Sequence, residues 1–448
     1  MKYDVLVVGG GPAGIVTALT ARKAYGPELT IGLMRREAPT LVPCGIPYMF
    51  GTLDAAAKNV MADKPLEAAG VEILNDEATT LDLESKTVGT RSGKTISFEK
   101  LVLATGSEPV LPDIEGVDLP GVFPIRKSYS YLDAVRQRLA AVGDVVVIGG
   151  GFIGVEFADE LAKLPGRRVT VVEILDHCLG QSFDPEFSEL AEKALAARGV
   201  RVLTGRKVSR MVGSAAVQAV ELEDGQRLPA EAVILSVGAR PSTALARQAG
   251  LRLTPRGAVA VDAAMRTSHP DVFAAGDAAA KTDFFSGGES PVMLASVAGI
   301  EARAAGTNLY EVRSLLAGGT PGAFATMVGE LALASVGLTE TGARRRGIAV
   351  EIGRADAVDR HPGTLPGARP VKVKLVFAAM TGRLLGGQVA GGASAGEMAN
   401  VIALAVGHRM EAADLYLMPL GTHPLLTPAP TTYPVVTAAW DFLSRRRS

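Results

Sequence analysis

Two stretches of the chain carry one design. Residues 4–14 read DVLVVGGGPAG and residues 144–154 read DVVVIGGGFIG. Each opens on an acidic residue, runs through β-branched and aliphatic residues, and closes on G-x-G-x-x-G. An alanine-rich helical stretch follows each, IVTALTARKA and VEFADELAKL. A continuous apolar run of this kind suits a strand buried on both faces of a parallel sheet. The first glycine allows the tight turn, the second lets the backbone approach a pyrophosphate, and the third lets helix and strand pack closely. The helix N-terminus then favours the anion. Gly9, Gly11 and Gly14 fit, as do Gly149, Gly151 and Gly154. One such motif is weak evidence. Two, each set between a strand and a helix, predict a duplicated βαβ unit with two dinucleotide sites. Pro12, Ala13, Phe152 and Ile153 complete the two loops.

Between the copies lies KLVLATGSEPVLPDIEG, residues 100–116, an apolar strand that ends in a Gly-Ser turn and a proline-rich linker. A matching stretch, AVILSVGARPSTALA, covers 232–246. DVFAAGDAAA, 271–280, reads as a short strand, a glycine turn, an aspartate and a helix. After about residue 325 the pattern changes to antiparallel strands, ALASVGLTE, IAVEIGR, VKVKLVFA and LLGGQVAG. A helix, GEMANVIALAVGHRM, follows, and a Pro/Thr-rich tail ends the chain. The expected division is 1–113 and 263–325 for one nucleotide domain, 114–262 for the other, and 326–448 for a separate α+β domain.

Composition excludes several classes. Forty-six basic residues against forty-seven acidic ones give a net charge of −1, so nothing steers the chain to nucleic acid. No run of about eighteen uncharged apolar residues occurs, so no membrane span is predicted. MKYDVLVVGG runs straight into a strand, which predicts no secretory leader. Two distant cysteines make no disulfide framework, and the expected location is the cytoplasm.

An acid about twenty residues beyond each loop should bind a ribose 2′-hydroxyl. In the second copy RVTVVEILD places Glu173 at the strand end. A carboxylate there repels a 2′-phosphate and favours NADH, with NADPH the alternative, because Arg167 and Arg168 precede the strand. In the first copy LTIGLMRREAP puts Met34 at that place, so Glu37 is the candidate.

Cys44 stands in LVPCGIPYMF, just after the second strand and before Gly45-Ile46-Pro47, read as a helix start. A helix N-terminus favours the thiolate, which can attack a disulfide and leave a mixed disulfide on the protein. The plain alternative is a small core hydrophobe. Cys178 and His177, in LDHCLGQ, lack this context and read as structural.

Two dinucleotide motifs, A-T-G-S at 104–107, A-A-G-D at 274–277 and a cysteine after the second strand together resemble the flavoprotein pyridine nucleotide–disulfide oxidoreductases. The resemblance covers essentially the whole chain. It implies two Rossmann-like domains arranged as in glutathione reductase and a C-terminal α+β dimerisation domain. FAD would lie on the first motif, with Thr105, Gly106, Gly276 and Asp277 near it, and NAD(P)H on the second, with Glu156 close to the nicotinamide. Gly238 closes the matching turn. PVMLASVAGIEARAAG resembles the family helix that runs under the flavin.

Glutathione reductase-like members carry C-x4-C, and CGIPYM has no second cysteine. The pattern resembles the single-cysteine branch of CoA-disulfide reductases, NADH oxidases and peroxidases, and persulfide reductases. Cys44 would then cycle between thiolate and a mixed disulfide, persulfide or sulfenic acid. Peroxidases and many oxidases of this branch hold a histidine inside the first loop, where this chain has Pro12. GTHPLLTPAPTTYP resembles the tail segment that protonates the leaving thiol in two-cysteine members. His423 matches there, the carboxylate partner's place is taken by Pro428, and Tyr433 is a second candidate. His423 also reads as a histidine bonding backbone in a turn. Arg22 and Lys23 stand where CoA-disulfide reductases hold phosphate. The implied substrate is a low-molecular-weight disulfide, persulfide or polysulfide, with coenzyme A the leading guess. The alternatives are an oxidase that reduces oxygen and a reductase that serves an electron-transfer protein.

Overall fold

The computed structural model describes residues 1–316 and 318–446. The chain divides into two compact units. The first comprises Met1–Pro112, Phe123–Ala141 and Val237–Thr320; the second comprises Asp113–Val122, Val142–Ser236 and the residues from Pro321 onward.

The first unit is built on a seven-stranded sheet. Lys2–Val8 lies at its centre, parallel to Ile31–Arg35 on one side and Thr95–Leu103 on the other. Val5, Leu6 and Val7 are fully buried, as their uninterrupted apolar run requires. Val71–Asn75 extends the sheet beyond Ile31–Arg35, and Val272–Ala274 pairs in parallel with Thr95–Leu103. That last pairing joins strands about 170 positions apart. It brings the A-A-G-D turn to the strand end that carries A-T-G-S. The expected helix after Asp277 is only a 3₁₀ turn, Gly276–Ala278. A short hairpin follows, Lys281–Thr282 with Glu289–Ser290, and the helix starts at Ala295.

That helix, Ala295–Thr307, packs on the helix Pro12–Tyr25. At their crossing a Cβ on Gly306 would stand 2.8 Å from the Thr17 carbonyl oxygen, so the backbones touch. Ser107–Pro109 pairs antiparallel with Ala239–Pro241. The two matching turns of the sequence therefore form one ribbon.

The second unit repeats the design. Asp144–Ile148 lies between Arg168–Val172 and Ala232–Leu235, all parallel, and Arg201–Leu203 lies outside Arg168–Val172. A five-stranded antiparallel sheet runs from Ala323 to Gly391, with Ala323–Val328 and Val350–Val358 at its rims and the last strand, Leu384–Gly391, at its centre. The first of these strands is absent from the sequence reading because its alternation is weak, with Ala323, Ala325 and an exposed Met327 between Phe324, Thr326 and Val328. The Pro/Thr-rich tail ends in a helix, Pro434–Arg445. Pro434 opens it, where the missing N–H costs nothing. Val435, Ala438, Ala439 and Phe442 form its buried stripe. Phe442 stacks on Phe377 at 4.5 Å.

Within this unit a buried lysine ties the nucleotide-type part to the antiparallel sheet. Lys374 lies 2.9 Å from Asp184, 2.6 Å from Glu186 and 2.9 Å from Glu340. Asp184 also accepts the backbone N–H groups of Glu340 and Thr341. Burial pushes its carboxyl up, but Lys374 and these donors outweigh that and hold it down at about 2.

Candidate functional site

The first loop has the geometry of a pyrophosphate cradle. Gly9 adopts φ +127, and a Cβ there would stand 2.0 Å from the Ala104 carbonyl oxygen. A Cβ on Gly14 would stand 1.8 Å from the Gly9 carbonyl oxygen. A Cβ on Gly11 would meet nothing within 4 Å, so this glycine faces open space. The helix Pro12–Tyr25 has no side-chain cap at Gly11 and no acid in its first turn. Its leading N–H groups are therefore available to an anion.

The third motif completes this half. Gly276 turns with φ +75, and a Cβ there would stand 2.8 Å from the Ala13 Cβ. The A-A-G-D turn thus touches the first loop. Ser107 and Lys127 donate to Asp277 Oδ2 at 2.6 and 2.8 Å. Burial raises the Asp277 carboxyl, but Lys127 and Ser107 outweigh it and hold the group ionised, below the usual range. Beneath the turn, Glu301 accepts the Gly276 N–H at 2.9 Å while Lys281 donates to the Gly276 carbonyl at 2.8 Å. Burial pushes the Glu301 carboxyl up to about 7. Thr105 Oγ1 donates to the Ser242 carbonyl at 2.6 Å, and the Gly106 carbonyl accepts from Ser242 N. Gly238, at φ +107, receives Val110 N on its carbonyl, so the turns at 105–106 and 238 are locked together.

The strand Ile31–Arg35 ends in a basic residue. Arg35 is buried and makes two 2.6 Å bonds to Asp63, with a third to Asn75 at 2.8 Å. Glu37 Oε1 accepts both the backbone N–H and the hydroxyl of Ser130 at 2.8 Å. Glu37 thus braces the start of the helix Tyr129–Leu139.

Cys44 is exposed in this half. The helix start expected after it is two 3₁₀ turns, Pro43–Gly45 and Pro47–Phe50. A turn of three or four residues carries little macrodipole, so the helix-terminus argument for its thiolate falls. The segment is anchored instead by backbone bonds from Val42 N to the Asn59 carbonyl at 3.0 Å and from Met61 N to the Thr40 carbonyl at 2.8 Å. Arg22 is a brace. Its guanidinium donates to the carbonyls of Gly26, Pro27, Leu29, Ala69 and Gly70. A phosphate would have to displace five carbonyl bonds. Lys23 is exposed.

The second loop repeats the cradle. Gly149 has φ +100, a Cβ on Gly154 would stand 1.8 Å from the Gly149 carbonyl oxygen, and Gly151 faces open space. Its helix, Phe152–Ala162, also lacks a side-chain cap and a first-turn acid. Glu173 is buried at the strand end. It accepts the Gly150 N–H at 2.5 Å and the Leu175 N–H at 2.7 Å. Arg167 and Arg168 sit at the opposite end of that strand, on the Val142 carbonyl and on Asp144, too far to reach a 2′-phosphate. Cys178 is fully buried under Gly150, and burial pushes its thiol up to about 12. It is an inert packing residue, and His177 rests on Glu192.

Ile153 is half-exposed on the loop, while Phe152 stacks on Phe324 at 5.3 Å. Glu156 accepts the Thr326 hydroxyl at 2.8 Å. Burial pushes its carboxyl up to about 7, so it changes protonation near neutral pH. In the tail, His423 is exposed. Its Nδ1 accepts Leu425 N at 3.3 Å, which puts the proton of the neutral ring on Nε2. That bond is the one expected of a histidine bonding backbone in a turn. Tyr433 lines an open groove of about 380 Å³ with Leu404, Leu426 and Pro428, and burial raises its phenol.

Sequence reasoning missed Ser107, Lys127, Thr326 and the pair Glu301–Lys281. Ser107 stood inside the quoted A-T-G-S. Glu301 stood inside the quoted helix segment, and Lys281 follows the A-A-G-D turn it bonds. Lys127 and Thr326 sit in no motif and reach their partners only through long-range packing. Among the described residues no group of three metal-ligating side chains occurs, and no helix is long and apolar enough to cross a membrane.

Comparison with known proteins agrees with both halves. Residues 3–302 match the family described as pyridine nucleotide-disulphide oxidoreductase, and residues 323–434 match its dimerisation domain. An NADH oxidase of Methanocaldococcus jannaschii is 30% identical over 425 residues, 92% of either chain. An NAD(P)H coenzyme A polysulfide/persulfide reductase of Pyrococcus horikoshii is 33% identical over 399 residues, 87% of this chain and 88% of the relative. The structure of an NAD-dependent persulfide reductase from A. fulgidus superposes with TM-score 0.91 at 28% identity, over 100% of this chain and 84% of that one. A water-forming NADH oxidase from Lactobacillus brevis gives 0.89 at 26% identity, over 99% and 98%.

Proposed function

This chain belongs to the pyridine nucleotide-disulphide oxidoreductases and is an NAD(P)H-dependent flavoprotein oxidoreductase; on that premise we propose that Cys44 reduces a low-molecular-weight disulfide, persulfide or polysulfide. The observation that carries the reading is the contrast between its cysteines. Cys44 is exposed on an anchored turn of the unit that holds the first loop, whereas Cys178 is sealed.

FAD, when bound, supplies the two-electron link from the nicotinamide cofactor. Its cradle is the loop Gly9–Gly14, closed by Thr105, Gly106, Gly238, Gly276 and Asp277. The second loop, with Glu156 and Glu173, receives NADH. The residues after Glu173 are Ile174 and Leu175, both exposed and neither a cation that would attract a 2′-phosphate. The Cys44 thiolate attacks one sulfur of the acceptor RSSR′, forming a mixed disulfide and releasing R′S⁻. His423 Nε2 or the Tyr433 hydroxyl protonates that leaving thiolate, supplied across a dimer. Two electrons then cleave the mixed disulfide and return Cys44 as thiolate with RSH released. The balance is NADH + H⁺ + RSSR′ giving NAD⁺ + RSH + R′SH.

The dimer would form on residues 323–434, where Leu404 and Leu426 are exposed beside the Tyr433 groove. A thiol that must stay reduced suits the cytoplasm. Coenzyme A disulfide is the first acceptor to test, since a 33% identical relative is named for coenzyme A persulfides. Without Arg22, the cation left for its phosphates is Lys23.

The test is anaerobic NADH consumption by the FAD-loaded protein with coenzyme A disulfide, then polysulfide, as acceptor. Turnover that Cys44→Ser abolishes supports the reading. Fast turnover with oxygen alone, surviving in Cys44→Ser, sinks it and leaves the oxidase named among the relatives.

A further inference from the structure

Asn59 is a buried polar residue outside every motif, 5% exposed. Its side chain is committed to the Cys44 turn at both ends. Nδ2 donates to the Val42 carbonyl at 3.1 Å. The same carbonyl accepts Gly45 N at 3.0 Å, the bond that closes the turn around Cys44. The Asn59 backbone carbonyl accepts Val42 N, so residues 42 and 59 are joined by main chain and side chain together.

Gly45 shows the other end of the contact. Its φ is not positive, so the backbone there would accept any residue. A Cβ on it would nevertheless stand 1.9 Å from Asn59 Oδ1, 2.8 Å from Cγ and 3.2 Å from Nδ2. The three nearest atoms all belong to Asn59. The glycine after the cysteine is needed for the asparagine, not for the turn. A planar amide pressed on the Gly45 Cα and bonded to the Val42 carbonyl holds both sides of Cys44.

We infer that Asn59 is a positioning residue for Cys44: it sets the orientation of the thiol through the Val42 carbonyl and the Gly45 Cα without touching substrate. The inference rests on the reading that Cys44 is the redox thiol. Orientation matters because a displacement of about 1 Å at a reacting atom costs about a hundredfold in rate.

The experiment uses the full FAD-loaded chain as Asn59→Ala, Gly45→Ala and the double variant. Three quantities are read: alkylation of Cys44 by iodoacetamide against pH, flavin bleaching by NADH, and turnover with coenzyme A disulfide or polysulfide. Asn59→Ala should move the midpoint of the alkylation profile and lower sulfur turnover about ten- to a hundredfold. FAD content and bleaching by NADH should hold, a split that general loosening does not produce. Gly45→Ala should fail in the same way. Adding Asn59→Ala to it should restore turnover relative to Gly45→Ala alone, because the Cβ then has room. Asn59→Asp keeps the volume and removes the donor, so it serves if Asn59→Ala does not hold FAD; it too should lower turnover. Wild-type turnover and an unmoved profile in Asn59→Ala or Asn59→Asp overturn the inference, as does a double variant no better than Gly45→Ala. Retained turnover in Cys44→Ser overturns the functional reading instead, and the alkylation profile still decides whether Asn59 positions the thiol.

Discussion

Beneath Gly10 of the first loop lies an arginine; beneath Gly150 of the second lie a glutamate and a cysteine. A Cβ on Gly10 would stand 2.6 Å from Arg35 Cβ, and one on Gly150 would stand 2.7 Å from Cys178 Sγ and 3.1 Å from Glu173 Cβ. The two backbones are otherwise alike, with a positive φ at the first glycine of each and the same 1.8 Å contact at the third. The difference lies in how each loop is completed. Glu173, Leu175 and Cys178 line the second loop from within one βαβ unit, and Ser236 closes it from the end of the neighbouring strand, Ala232–Leu235. The first loop turns its strand-end charge away onto Asp63. It is completed by a turn about 260 residues further along, through Gly276 and Ala13. One half is local and the other is assembled.

The largest effect should come from the shared contact. Gly14→Ala puts a Cβ against the backbone of Gly9, which cannot yield as a side chain would. The protein should lose its visible flavin absorbance. Gly154→Ala should keep the flavin and lose bleaching by NADH, about a hundredfold or more in NADH affinity. Equal loss of flavin in both would break the assignment of one loop to each cofactor.

Next comes the strand-end acid. Glu173→Gln weakens a charge-assisted bond to the loop N–H and should raise the KM for NADH about tenfold or more. Glu37→Gln should leave that KM unchanged, since Glu37 holds Ser130. Steady-state kinetics on both variants sharpens the comparison. A Glu37 variant with the larger effect inverts it.

The arginine beneath the first loop should matter for stability. Asp63→Asn should cost about 1–2 kcal/mol, because its carboxylate is partly exposed while Arg35 is buried. Arg35 holds the Asp63 carboxyl below its usual value. This contribution is therefore present above the unfolded value near 4 and fades as the pH falls through the folded one. Thermal unfolding of the FAD-loaded protein against pH reads it.

Glu156 has the opposite sign. Its folded pKa, about 7, lies above its ordinary value of 4.5, because burial disfavours the charge. The fold is favoured by the protonated form, and stability is lost as pH rises toward 7. Glu156→Gln should therefore gain on wild type between about pH 5 and pH 8, by a few degrees in Tm. Thr326→Val removes a bond that lowers this pKa and should move the profile of flavin bleaching upward. The smallest effect is expected at Cys178→Ala, with sulfur turnover unchanged and a modest drop in Tm.

Legibility followed the same division. Strand, glycine loop and helix were readable twice because apolar runs and glycine spacing act within about thirty residues. Glu173 was readable for that reason. Glu37 was not, because its partner Ser130 lies far along the chain. The helix expected after Cys44 became two short turns, since Pro43 and Pro47 interrupt the ladder. The terminal helix was hidden behind its Pro/Thr-rich approach, though Val435, Ala438, Ala439 and Phe442 carried its period.

Arg22 marks the boundary most clearly. Its place in the motif pattern suggested a phosphate ligand, and its five carbonyl partners make it a brace. Residue type and spacing were sufficient for two nucleotide cradles and for singling out Cys44, because backbone sterics and apolar periodicity are local; the exposure of its thiol came with the fold. The partners of Asp277 and Glu156, and the residue that holds the turn around Cys44, came only with the fold. Lys127, Thr326 and Asn59 lie in stretches with no period or turn signal, and a hydrogen bond between distant segments leaves no trace in the spacing of either.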